Sequence, residues 1–275
     1  MNTLDTTLAA IGQLGDDEID LADAALQLAR RTVDEAEYLA ARAHLSELVR
    51  LASERAETLA LDDLPGHAAM ISELLLVDFG YRGDVETYDD LDNANLVRVI
   101  ERRQGLPVAL GILWLHAAQA VGVVAHGVNF PGHFLVSLGT GSVQLLIDVF
   151  GGGLVMDKPA LESLLRAVYG RKVALQRDML TPMGTRDVLL RLHGNIRSRQ
   201  ERGGAFSAAL ATLADMQRIA PEAAPLWLDE ARLQQEIGDV GGAFAALHHF
   251  LTMEPEGPMA DQVRVALDEL RGRMN

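Results

Sequence analysis

His133 and Asp148 are the residues of this chain whose types and positions best fit acid–base chemistry. In "NFPGHFLVSLG" (129–139) a Pro-Gly turn opens directly onto His133 and an apolar strand follows. A second apolar run, "VQLLIDVF", ends near Asp148, and "GTGS" between the two is a hairpin signal. A tight turn centred on Thr140–Gly141 sets Leu138 opposite Val143, Val136 opposite Leu145 and His133 opposite Asp148. Facing Cβ atoms in such a pair lie about 4.5–5.5 Å apart. A carboxylate at that distance orients one ring nitrogen and favours the imidazolium. The pairing depends on turn geometry, and a one-residue slip would break it.

Such a pair has three uses. It can be a structural pin, since a mutual hydrogen bond satisfies two groups that would be costly to bury alone. It can help hold a polar ligand or peptide in a cleft. It can also do chemistry, which then needs a nucleophile or an activated water. Ser137 and Ser142 are the nearby hydroxyls, but no Gly-x-Ser-x-Gly elbow is present. The chain has no cysteine, so disulfides, thiolate metal sites and thiol nucleophiles are excluded. Its eight histidines include no His-x-His or His-x3-His pair, so no metal site is expected. "GVNFPGHF" lacks a phosphate-loop lysine, and "FGGGL" reads as a turn; no cofactor is implied. Tyr81, Tyr88, Asp89, Asp92 and Asn95 precede the central apolar block and read either as a cleft rim or as loop and capping residues.

The elements that must position these residues are mostly helical. Residues 19–60 carry apolar residues at helical spacing, as do "LPGHAAMISELLLVDFGYRG" and "NLVRVIERRQG". From residue 104 to 147, 44 residues contain no Asp, Glu, Lys or Arg. Pro107 fits the first turn of a helix running to about Val121, apolar on nearly every side. That helix is shorter than the ~20 residues a membrane span needs, and His116 and Gln119 interrupt it. Strands are expected over 123–130, 133–139 and 143–150, and helices from about Pro159 onward.

The order of buried helix, His at a strand start and Asp on the next strand resembles that of transglutaminase-like cysteine hydrolases. Those enzymes carry the nucleophilic Cys at the helix start, where the helix dipole lowers its pKa. Here the Gly-x-Cys motif reads Gly105-Leu106-Pro107: His133 and Asp148 match the family, and Pro107 replaces the nucleophile. The chain resembles the SirB1 family more closely, through "DLADAALQLAR", "FGYRGDVETYDD", "NLVRVIERRQGLPVALGILWLHAAQAVG", "GVNFPGHFLVSLG" and "LLIDVFGGG". The resemblance implies an α+β fold with a helical N-terminal region, a transglutaminase-like core of one buried helix on a small antiparallel sheet, and C-terminal tetratricopeptide-like hairpins. It also implies that Gly-Leu-Pro is a family trait.

The repeat is visible in the residues themselves. Pro221 and Pro255 are 34 residues apart, and Trp227, Ala231, Gly238 and Ala243 fall at tetratricopeptide spacing. Two domains are expected, 1–185 and 186–275. Net charge is −15, a poor background for nucleic-acid binding. Residues 1–100 carry 21 acidic and 7 basic side chains, whereas residues 166–202 carry 9 basic and 3 acidic. Arg191, Arg197, Arg199 and Arg202, with Trp227, are therefore candidate partner-binding residues. They face either an external acidic segment or the acidic N-terminal part of the same chain. The opening residues have no basic n-region, so a cytoplasmic protein is expected. Two functions follow. One is a non-catalytic interaction protein that binds a protein or peptide; the other is a hydrolase or transferase that uses His133 and Asp148 without a thiol.

Overall fold

The structure, a computed structural model, describes residues 3–141 and 143–274. Helices α1 (Thr3–Gln13), α2 (Leu21–Ala29), α3 (Glu35–Ala56) and α4 (Leu64–Ser72) come first, and α4 runs into a π turn at Glu73–Asp78. Asp20, Asp34 and Asp63 cap α2, α3 and α4, each accepting a backbone N–H three residues on. The short strand β1 (Arg82–Gly83) precedes α5 (Leu96–Arg102) and pairs in parallel with β2 (Gln104–Gly105).

Helix α6 (Pro107–Ala120) is the centre of the core. Pro107 occupies its first turn, where a missing N–H removes a donor with no intrahelical partner. Val108 to Leu115, Ala117 and Ala118 are all buried, so the helix is enclosed on every side. Its apolar character serves packing: among the described residues no helix is long and apolar enough to cross a membrane.

The strands β3 (Ala125–Val128), β4 (Leu135–Thr140), β5 (Val143–Asp148) and β6 (Leu154–Val155) form one antiparallel sheet in that order. This α+β core matches the expected architecture, but the hairpin register differs by two residues. Thr140 pairs with Val143, Leu138 with Leu145 and Val136 with Ile147. The turn uses Gly141, at φ 65°, as its first central residue. A two-residue hairpin needs positive φ there, which glycine supplies and Thr140 does not. Asp148 consequently pairs with Leu154 of β6, and His133 lies two residues before β4 begins. The expected cross-strand pairing of His133 with Asp148 is thus corrected. Ser142 lies outside the described residues.

Helix α7 (Lys158–Tyr169) packs Leu161 and Leu165 onto Val128, Phe130, Leu135 and Leu146 of the sheet region. Five helices complete the chain: α8 (Thr185–Arg202), α9 (Phe206–Ile219), α10 (Pro225–Glu236), α11 (Val240–Met253) and α12 (Pro258–Met274). Pro221 and Pro255 each follow a helix end by two residues, as the repeat spacing requires.

The chain divides into two compact units, Gly15–Leu192 and a second that joins the opening residues to those from His193 onward. The division falls inside α8, seven residues beyond the boundary expected after 185. It also groups α1 with the C-terminal helices. Leu4 and Leu8 of α1 are buried, α1 packs on α9, and Gly12 lets the two backbones approach at Arg218. Within this unit Ala224, Ala231, Ala243, Leu247, Phe250 and Val263 share one core.

Candidate functional site

The Pro131–Gly132 turn is closed by the His133 N–H donating to Phe130 O at 2.9 Å. Gly132 holds φ at 72°, and a Cβ there would come within 2.5 Å of Val168. The turn sends Phe130 and Phe134 into the core and leaves His133 half-buried. Phe134 sits where Gly111 of α6 and Gly127 of β3 leave room for its ring.

Arg191 of α8 reaches over this turn. Its Nη2 donates to His133 O at 3.0 Å and its Nη1 to Asn129 Oδ1, while the guanidinium lies 5.6 Å from the Phe134 ring centroid. Burial lowers the Arg191 pKa, and the Tyr88 phenol opposes that shift. Tyr88 stacks edge-on against Phe150 at 5.9 Å, and the Phe150 ring fills the space that a side chain on Gly83 would take. Asn129, His133 and Arg191 are therefore joined directly, and Tyr88 is brought electrostatically close to Arg191. Sequence spacing could not reveal this link, because Asn129 and Arg191 are 62 residues apart. The helical period of "RDVLLRLHGNIRSR" does not say what its arginines meet.

Asp148 has other partners. Its Oδ1 accepts the N–H of Phe150 at 3.1 Å and of Gly151 at 3.0 Å, which pins the turn into β6. No hydrogen bond or ion pair joins it to His133 among the described residues. The buried Ser137 donates to Gln144 Oε1 at 3.3 Å and so has a partner of its own. Asn95 caps α5 through Arg98 N and donates to Thr32, a capping role. Tyr81 is buried away from any rim, bonded to His44 and Arg103. Asp84, which the sequence did not single out, orders the acidic loop. Thr87 Oγ1, Thr87 N and Glu86 N donate to it, and Arg102 pairs with it at 3.2 Å. The hydrogen bonds from Thr87 lower its pKa to about 2.

The arginines expected to form one basic surface are distributed differently. Arg191 belongs with His133, in the unit ending at Leu192. Arg197 lies 2.5 Å from Asp229 of α10 and 3.5 Å from Glu201 of its own helix, so its acidic partners are not in the N-terminal region. Arg199 bonds back to Asn195, and Arg202 is exposed near the end of α8. Trp227 stacks on His249 at 3.8 Å against the helical core. No cluster of three or more His, Cys, Asp or Glu could hold a metal among the described residues. A separate cavity of about 360 Å³ opens beside the last turns of α6, lined by His116, Gln119 and His126. The buried Nε2 of His116 has no hydrogen-bond partner there.

A buried helix opening at Gly105-Leu106-Pro107, a sheet approached by His133 and carrying Asp148, and helical hairpins later in the chain define a transglutaminase-like protein with tetratricopeptide repeats. The transglutaminase-like superfamily model matches residues 39–194, more than half of the chain, and the chain belongs to that superfamily. A tetratricopeptide-repeat model matches residues 196–268. Its relatives include UPF0162 proteins of the SirB1-like family. One from Xylella fastidiosa is 29% identical over 209 residues, 75% of this chain and 74% of that protein. One from Vibrio cholerae is 25% identical over 255 residues, 92% and 93% respectively. F-box only protein 21 of Mus musculus is 27% identical over 184 residues, 61% of this chain and 28% of that protein. No solved structure matches the chain.

Proposed function

We propose that this chain is a non-catalytic transglutaminase-like protein that binds a protein or peptide partner through its repeat helices. The observation that carries this reading is Pro107, standing at the first turn of α6 where thiol enzymes of the superfamily carry their nucleophile, in a chain without cysteine. Proline has no attacking group and no backbone N–H. The position can therefore neither form an acyl intermediate nor donate from its backbone to a developing oxyanion. The hydrogen bonding of Asp148 to two local amides supports the same reading, since an orienting carboxylate would bond the histidine ring. Tetratricopeptide repeats generally mediate protein–protein interaction, which supports a binding role for residues 196–268.

The test compares the unaltered chain with Pro107→Cys and with Trp227→Ala. Glutamine-donor and ester substrates are offered with a labelled amine. The unaltered chain should transfer no label. Partners captured from native lysate should be retained by Pro107→Cys and lost by Trp227→Ala, with both variants folded by circular dichroism. Substrate-dependent transfer by the unaltered chain, abolished by His133→Ala, would overturn the non-catalytic reading. Capture unaffected by Trp227→Ala would remove that residue from the binding face.

A further inference from the structure

A groove of about 270 Å³ runs between α3 and α5, away from the Pro107 and His133 elements. Its walls are Ala40, Ala41, Val97 and Ile100, and Arg103 and His44 stand at one end. Among the described residues Arg103 is the one non-glycine residue with positive φ, 59°. That conformation costs a side-chain-bearing residue energy and is held only where its surroundings fix it. Here the surroundings are specific. Arg103 Nη1 donates to Tyr81 Oη at 2.5 Å and meets His44 Nε2 at 2.8 Å. The guanidinium lies 4.9 Å from the Tyr81 ring centroid and 5.6 Å from that of Phe79.

All of these partners are neutral. Burial raises the Tyr81 pKa, so the phenol keeps its proton. Burial and the neighbouring guanidinium lower the His44 pKa to about 4. The adjacent arginines differ: Arg98 pairs with Glu37 and Glu101, and Arg102 with Asp84. Arg103 makes no ion pair among the described residues. Among the described residues its Nη2 hydrogen-bonds only to His44 Nδ1, at 3.5 Å, and its Nε–H has no acceptor. A guanidinium fixed by aromatic and neutral groups, with one N–H edge still to satisfy, is suited to side-on bidentate contact with a carboxylate.

We infer that this groove binds a carboxylate, which Arg103 holds, with a short aliphatic group of the ligand lying on Ala40, Ala41, Val97 and Ile100. The far end selects against more highly charged anions. Glu37 and Glu101 share the single guanidinium of Arg98, leaving a net negative charge there. A phosphate dianion is therefore disfavoured relative to a monoanion. The aliphatic carboxylate can come from a free acid or from the C-terminal residue of a peptide.

The experiment follows backbone amide NMR of the full chain during titration with four probes: isovalerate, isovaleramide, and a valine-terminated tripeptide with a free or an amidated C-terminus. The proposal expects saturable shifts at Ala40, Ala41, Val97 and Ile100 with at least one acid. The matching amide should bind at least about tenfold more weakly, the loss expected when a charge-assisted bidentate contact is removed. Tighter binding of the peptide acid identifies a chain terminus as the source; binding of isovalerate alone identifies a free acid. Arg103→Gln should abolish the shifts. Should that variant unfold, Ala40→Met fills the groove from an exposed position and should abolish them without touching the guanidinium. Absence of shifts with both acids, equal binding of acid and amide, or full binding by Ala40→Met would each overturn the proposal.

Discussion

The Asp148 carboxylate accepts two backbone N–H groups, so its replacement should act on stability. Asp148→Ala leaves the Phe150 and Gly151 amides without their acceptor. It should lower unfolding free energy by about 1–3 kcal/mol, the usual cost of orphaned donors, measured by urea titration. An unchanged midpoint would show that water replaces the carboxylate. His193 makes a second prediction. It is fully buried, its Nδ1 has no partner, and desolvation lowers its pKa to about 4 against the nearby Asp215. The unfolded ring titrates near 6.5, so the unfolded state takes up the proton first. Its contribution to stability is whole above pH 6.5, shrinks as pH falls from 6.5 toward 4, and is absent below. Between pH 7 and pH 5 His193 alone should remove about 2 kcal/mol. His44, lowered to about 4 but more exposed, adds a smaller loss of the same sign. Equilibrium unfolding at the two pH values should show a shallower dependence in His193→Leu; an identical dependence in both proteins would refute the assignment.

The element that ties the sequence motif to the core is the Phe134 ring between α6 and β3. A methyl group on Gly111 would collide with Phe134 Cε1 and Cδ1, and one on Gly127 would stand 2.7 Å from Cζ. Gly111→Ala should therefore destabilise by about 1–3 kcal/mol through overpacking, and Phe134→Leu in the same chain should recover part of that loss. Additive destabilisation in the double variant would contradict the collision. The same strands show what the sequence carries. Alternation along "HFLVSLG" and "VQLLIDVF" identified two strands, and both form, although β4 buries Leu135 to Leu138 on both of its faces. It could not set the register, because a two-residue slip leaves each side chain on its original face. The observed pairing makes Gly141, not Thr140, the first central residue of the turn, where a positive φ is needed. The Pro107 helix start was legible because proline has few other places in a helix. The Arg191–Asn129 link and the Arg103 cluster were not, since neither follows a periodic pattern and each joins residues far apart in the chain.

Across the whole molecule both compact units are net acidic, and Arg197 finds its acidic partners within its own unit. Arg197 is 17% exposed and pairs with Asp229 and Glu201, while Arg232 also reaches Glu201. Arg197→Glu should place like charges together and lower the stability of the helical unit by about 2 kcal/mol or more. An unaltered thermal midpoint would show that these pairs are solvated and without effect. The grouping of α1 with the C-terminal helices has a consequence in time. Leu4 and Leu8 leave the ribosome well before α9, on which α1 packs and which ends only at Ile219. At about 5–20 residues per second, roughly 200 intervening residues take on the order of 10–40 s to synthesise. For that interval the apolar stripe of α1 has no native cover, while residues 15–192 can already fold. A nascent chain paused before residue 206 should therefore present α1 to proteases and to chaperones that read short apolar segments, and release past residue 219 should end that exposure.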